Sequence, residues 1–328
     1  MVEDTSSAKL QASEAGLKDF IERGYGLSMH WGLYSLLFGD EWVYYNQRVP
    51  FDEYRGLMAR FDPTRFNADE WGDLMLESGQ KFLLITTKHH DGFCLWDTKL
   101  TDFRSTNTAF GRDIIAELAE AMDRRGLALH FYYSLVDWTH PDYRNNWSEY
   151  IGYYQAQLRE LMSNYGRIGG VIFDGYWPEI RQQFEGDGVN YFGPTGKAEW
   201  LSFDLAGTYD LIHEVQPDAV VTNNTHVLPL KGEDYQVWEL DLPGENSAGF
   251  NTTLVGDKPG ACWWNLNEGW SYQPWRHRVK SPEDLLRPYS TMKERGGVFI
   301  LNVGPRSFGD IHPEEQAALR NFGRLIAQ

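Results

Sequence analysis

A (β/α)8 barrel is the fold class the sequence predicts, and three observations carry that prediction. Eight short β-branched or apolar runs recur along the 328 residues, longer amphipathic segments separate them, and unusual polar residues cluster where the runs stop. In such a barrel the chemistry sits in the loops after the C-terminal ends of the strands, so the third observation gives the chain a direction. A doubly wound open sheet is the competing arrangement. No Gly-rich phosphate loop follows any run, which weakens a nucleotide-binding function.

The runs that read as strands are Tyr25 to His30, Phe82 to Thr87, Leu127 to Ser134, Gly170 to Asp174, Ala219 to Asn223, Tyr235 to Glu239, Ala261 to Asn265 and Val298 to Val303. Helices are expected over Ala68 to Ser78, Arg112 to Arg125, Trp147 to Tyr165, Ser202 to Val215, Pro282 to Glu294 and Pro313 to Ile326. Asn67 before Ala-Asp-Glu and Ser281 before Pro-Glu-Asp supply side-chain oxygens for the free N–H groups of a first turn. The stretch from Asn224 to Pro259 has no convincing helix, which predicts an irregular barrel around the fifth to seventh strands.

Thirty basic against 47 acidic side chains leave a formal charge of −17, which argues against a nucleic-acid partner, since a phosphate backbone is bound by basic stripes. A composition 42% hydrophobic and 15% aromatic is that of a folded chain. Thirteen Trp beside 18 Tyr and 18 Phe provide core, and also flat platforms for the apolar faces of sugars. Cys94 and Cys262 are too few for a disulfide scaffold or a thiolate zinc site. No apolar stretch approaches the ~20 residues of a membrane helix, and the first sixteen residues lack a basic and an apolar region. A soluble protein is expected, cytoplasmic, or secreted or periplasmic if a leader has been removed.

The strand ends read His30-Trp31-Gly32, Lys88-His89-His90-Asp91-Gly92, Tyr132-Tyr133-Ser134, Phe173-Asp174-Gly175 and Trp238-Glu239. Period-two alternation puts Ile172 and Asp174 on one face and Val171 and Phe173 on the other, so Asp174 is expected to point into the mouth as a catalytic carboxylate. Asp-Gly is also a turn former, the competing role for this residue. Glu239 is the second carboxylate, and the adjacent Trp238 is expected to raise its pKa and keep it protonated as a general acid. His89 and His90 invite a metal-site reading. Neighbours on a strand point to opposite faces, however, so both reach one ion only if the chain turns there, and sugar-hydroxyl contacts are preferred. Glu41 and Trp42 pair a carboxylate with an aromatic plate, which suits a polyol with one apolar face.

These motifs resemble glycoside hydrolase family 29, the α-L-fucosidases: SMHWGLYSLLFGDEW at 28 to 42, KFLLITTKHHDGFCLWDT at 81 to 98, FYYSLVDWTHPDY at 131 to 143, GGVIFDG at 169 to 175 and GGVFILNVGP at 296 to 305. The resemblance implies a distorted (β/α)8 catalytic barrel and hydrolysis of terminal α-linked L-fucose with retention, through a covalent fucosyl-enzyme and without metal or organic cofactor. It implies that Asp174 is the nucleophile. His30, Glu41, Trp42, His89 and His90 would hold the sugar, together with a tyrosine of the FYYS segment, Tyr133 in preference to Tyr132, and Trp270 near the site with Tyr272. The two catalytic carboxyl groups are expected about 5 Å apart.

Two features depart from the family pattern. Where many members carry an acid/base glutamate ahead of Trp-Gly-Tyr, this chain reads Lys258-Pro259-Gly260-Ala261-Cys262-Trp263, leaving Glu239, Glu245 and Glu268 as substitutes, Glu239 preferred for its strand-end position. Members usually continue into a C-terminal β-sandwich, whereas this chain stops at Gln328, so one catalytic barrel domain over 1–328 is expected. Fucosylated oligosaccharides or glycoconjugates are the expected partners. A fucose-binding protein with a degraded site, or a metal-dependent barrel hydrolase built on the histidine pair, are the other readings.

Overall fold

A computed structural model describes residues 4–176 and 202–328 of the chain. Its eight strands are β1 (Tyr25–Met29), β2 (Phe82–Lys88), β3 (Ala128–Ser134), β4 (Ile168–Asp174), β5 (Val220–Asn223), β6 (Gln236–Glu239), β7 (Gly260–Asn265) and β8 (Val298–Val303). All the ladders are parallel, in the order β5-β4-β3-β2-β1-β8-β7-β6, so the eight-stranded sheet curls into a nearly closed barrel. Each sequence-predicted strand is present, with ends displaced by no more than two residues. Helices run over Ala68–Glu77, Ile114–Asp123, Trp147–Asn164, Leu205–Val215, Pro282–Glu294 and Pro313–Ile326. The expected caps are made: Asn67 accepts from the Asp69 and Glu70 amides, and Ser281 forms a reciprocal capping box with Asp284. An unexpected helix, Glu14–Arg23, precedes β1.

Both faces of the sheet are apolar, as a parallel sheet covered by helices requires. One cluster fills the barrel interior with Phe82, Leu84, Tyr132, Ile172, Val220, Tyr235, Val237, Ala261, Trp263, Val298 and Ile300. Phe20 joins it from Glu14–Arg23, its ring packed on Phe82, His130 and Tyr235, so this helix plugs the end where the strands begin. A larger cluster lies between the sheet and the outer helices and includes Leu83, Ile85, Phe131, Tyr133, Val171 and Phe173. Among the described residues no helix is long and apolar enough to cross a membrane.

The irregularity expected between the fifth and seventh strands is a seam, because β5 and β6 share no ladder. Side chains close it. Asp234 Oδ2 accepts from the Val221 amide at 2.7 Å and lies 3.2 Å from His213 Nε2, while its Oδ1 accepts from the Ala12 amide at 3.0 Å. Thr222 Oγ1 donates to the Tyr235 carbonyl at 2.7 Å. Asp234 is buried, so Asp234→Ala leaves the Val221 N–H without a partner in a dry seam. It should cost about 2–4 kcal/mol in denaturant unfolding. A loss below about 1 kcal/mol would mean that the seam does not depend on this carboxylate.

Candidate active site

The C-terminal ends of the strands surround a cavity of about 180 Å³ lined by His30, Glu41, Trp42, His89, Asp174, Asn224, His226, Glu239, Phe250, Trp263 and Trp270. This is smaller than a pocket for a drug-sized ligand and suits one small ring. A wider groove of about 450 Å³ lies between helices Glu14–Arg23 and Ile114–Asp123 at the opposite end of the barrel. That end serves stability in barrels of this type.

Asp174 is the last residue of β4 and shares the inner face with Ile172, as the alternation requires. Its Oδ2 accepts from the Tyr132 hydroxyl at 2.7 Å and stands 3.7 Å from His90 Nε2. The turn that follows is made by Gly175, whose φ is +93° and where a Cβ would stand 2.6 Å from Val136. The backbone conformation therefore explains the glycine and leaves the aspartate carboxyl for other work.

Hydrogen bonds fix the histidines. Ser134 Oγ donates to the Val136 carbonyl at 2.7 Å, so it accepts from His90 Nδ1 at 2.6 Å and leaves the Nε2 lone pair facing Asp174. Burial, with the Lys88 charge added, holds His90 well below the ordinary histidine range, and burial together with His90 and His30 does the same for His89. Neutral His90 thus presents an acceptor to an acceptor. A ligand hydroxyl can donate to either atom.

His30 is oriented by a chain of donors: Trp263 Nε1 donates to Ser28 Oγ at 2.7 Å, Ser28 Oγ donates to Asn302 Oδ1 at 2.9 Å, and His30 Nδ1 lies 2.8 Å from the same oxygen. Asn302 Nδ2 donates to the Trp270 carbonyl, which confirms that its oxygen is the acceptor. His30 therefore carries its proton on Nδ1 and turns an acceptor Nε2 to the cavity, with burial pushing its pKa down to about 4. The His89 ring stacks on Tyr132 at 5.2 Å and 3°. Trp42 meets His90 edge-on at 5.1 Å.

Glu239 ends β6 beside Trp263 of β7. Its Oε2 accepts from Asn224 Nδ2 at 2.7 Å and lies 3.9 Å from His226 Nε2. Burial, and next the negative charge of Asp174, push its carboxyl up to about 8. Glu41 is also buried and is pushed up to about 7, while accepting from the Ser271 hydroxyl at 3.1 Å. Three carboxyl groups, Asp174, Glu239 and Glu41, are thus brought to one small aromatic cavity, with Glu239 pushed towards its neutral form by its burial and by Asp174.

Several expectations need correction. Tyr133 does not face the cavity: it belongs to the outer cluster, its hydroxyl donates to Gln157 Oε1 at 2.6 Å, and Lys88 Nζ sits 4.7 Å from its ring. Tyr132 is the inward residue. Trp238 is not the group that raises the Glu239 pKa, because as its strand neighbour it points outward, with its indole donating to the Thr252 carbonyl. His89 and His90 do not diverge. β2 stops at Lys88, the chain turns, and the two rings stand 4.2 Å apart on the mouth side, with ligand atoms of His89, His90 and Asp174 within 4.8 Å of one another. Glu245 is ion-paired with exposed Arg287 at 2.6 Å, and Glu268 is an exposed residue near Arg278, so neither lines the cavity.

Sequence reasoning missed Asn224, His226, Phe250, Trp263 and Asn302. Asn224 and His226 follow β5, the strand end that carried no obvious motif. Asn302 had a signal, as the one polar side chain in VFILNV.

A barrel mouth holding an aromatic-lined cavity for one ring, with the carboxyl groups of Asp174, Glu239 and Glu41 on its lining, has the chemical equipment of a glycoside hydrolase. The comparisons agree. The chain belongs to the alpha-L-fucosidase family, whose profile it matches over residues 4–328. It is 31% identical over 296 residues to Alpha-L-fucosidase 1 of Arabidopsis thaliana, a match covering 81% of this chain and 52% of that protein, so it spans about half that relative's length. Among solved structures it resembles alpha-L-fucosidase isoenzyme 1 of Paenibacillus thiaminolyticus, with a TM-score of 0.81 at 29% identity over 96% of this chain and 76% of that one. It also resembles a Bacteroides thetaiotaomicron alpha-L-fucosidase trapped as a covalent intermediate, with a TM-score of 0.79 at 27% identity, covering 97% of this chain and 76% of that one.

Proposed function

We propose that this chain is the catalytic barrel of a retaining exo-α-L-fucosidase that hydrolyses terminal α-linked L-fucose from fucosylated oligosaccharides or glycoconjugates. The observation that carries this reading is the convergence of Asp174 and Glu239 on one ring-sized cavity, with Glu239 pushed up to about 8. Asp174 attacks the anomeric carbon while Glu239 protonates the departing oxygen, and a water activated by Glu239 then releases the sugar from the fucosyl-enzyme. The Bacteroides relative trapped as a covalent intermediate supports a two-step course. Esterification removes the negative charge of Asp174, one of the causes that hold the Glu239 pKa high, so the acid of the first step becomes the base of the second. His30, His89 and His90 serve the sugar hydroxyls, and Trp42, Trp263 and Trp270 face its apolar side.

Hydrolysis of an aryl α-L-fucoside beside a fucosylated oligosaccharide tests the reading, with NMR of the first-formed sugar showing the α anomer. Fucose binding without turnover of either substrate would make this a binding protein.

The approach of His89, His90 and Asp174 leaves a metal-dependent hydrolase as a definite competitor. Turnover should persist unchanged after exhaustive chelation, since the proposed chemistry needs only carboxyl groups and neutral imidazoles. Activity lost on chelation and restored by zinc would replace this mechanism with a metal-assisted one.

A further inference from the structure

Away from the cavity, His277, His312 and Glu314 offer ligand atoms that all lie within 4.8 Å of one another. They come from two segments. His277 follows the short helical turn Pro274–Arg276 in the loop after β7, while His312 caps the helix Pro313–Ile326 and Glu314 lies in its first turn. The two imidazole rings stand 4.1 Å apart, and the Tyr272 ring stacks on His312.

Burial is uneven in a way that favours a ligand. The His277 side chain is only 9% exposed, Glu315 beneath it is fully buried, and Glu314 is open to solvent at 70%. His277 Nε2 and Glu315 Oε2 are buried polar atoms without hydrogen-bond partners, 3.9 Å separating Nε2 from the other Glu315 oxygen. Such groups are costly to leave unsatisfied. A cation held at Nδ1, on the Glu314 side, leaves the His277 proton on Nε2, where it faces the Glu315 carboxyl.

We infer that His277, His312 and Glu314 form a surface site for a divalent zinc-like cation, distinct from the His89–His90–Asp174 group. Two imidazoles and one carboxylate suit zinc, cobalt or nickel better than calcium or magnesium. Two ligand atoms about 2.0–2.1 Å from a tetrahedral zinc stand about 3.4 Å apart. His277 Nδ1 and Glu314 Oε2 are separated by 3.4 Å. His312 supplies the third protein ligand atom, and water takes the remaining position on the exposed side. The ion would fasten the loop after β7 to the last helix. That loop carries Trp270, a wall of the cavity, and Ser271, which holds Glu41.

Calorimetric titration of the chelated protein with zinc, in saturating L-fucose to occupy the histidines of the cavity, tests the site together with thermal melts. One equivalent should bind and raise the melting temperature. Glu314→Gln and His312→Ala should each weaken binding by about tenfold or more and remove the shift. Aryl fucoside turnover in both variants should stay at the parent level. The difference between parent and Glu314→Gln reports this site even without the sugar, so a failure of L-fucose to bind counts against the functional proposal alone. No binding by the parent, or binding undiminished in both variants, would overturn the site.

Discussion

Asp174→Ala is expected to lose turnover by about four orders of magnitude or more, because in the proposed mechanism no covalent intermediate forms without this carboxylate. Binding should survive. His30 is held by Asn302, which also donates to the Trp270 carbonyl, and neither contact involves Asp174, so L-fucose should still titrate the variant. A further consequence concerns Glu239. With a negative neighbour gone, its carboxyl should titrate below the parent's value of about 8, and infrared or NMR titration of the labelled side chain should show that fall. Near-normal hydrolysis by folded Asp174→Ala would remove the aspartate from the nucleophile's role. Hydrolysis abolished together with fucose binding would instead point to an architectural one.

The barrel was legible because its strands are short apolar runs set between helices with clear caps, and the direction of the chain was legible because His30, His89, Asp174 and Glu239 all fall where such runs stop. The choice of Tyr133 over Tyr132 went wrong for a related reason. In a parallel sheet covered on both sides, β3 is apolar inside and out, so alternation shows that two adjacent tyrosines part company without showing which one turns inward. Asp174 escaped this ambiguity only because a charged end residue has one tolerable direction. The shared direction of His89 and His90 depended on where β2 stops, and one residue of difference at a strand end reverses a side chain. Contacts between distant segments had no local signature at all. Ser271 on Glu41, Asn224 on Glu239 and the side chains of the β5–β6 seam are set by how loops fold back, which no periodicity records.

Glu239→Ala should separate substrates by their leaving groups. Natural fucosides need a proton on the departing oxygen and should slow by about 10²–10⁴-fold, whereas an aryl fucoside with a good leaving group should still form the fucosyl-enzyme and then release it slowly. Azide should accelerate that second step and yield fucosyl azide, since an anionic nucleophile needs no general base. The pH profile supplies an independent sign. In the parent, the acid must be protonated while Asp174 is ionised, so turnover of natural fucosides should fall as pH rises through about 8, the value to which burial and Asp174 push Glu239. That limb should vanish for the aryl substrate in the variant. Glu41 shares the cavity and is pushed up to about 7, which makes Glu41→Ala the sharpest control; in the proposed sugar-binding role its loss should raise KM without azide rescue. Glu245→Ala and Glu268→Ala, at ion-paired surface positions, should leave both substrates unaffected. Rescue by azide in Glu41→Ala but not in Glu239→Ala would move the acid/base across the cavity to the loop after β1.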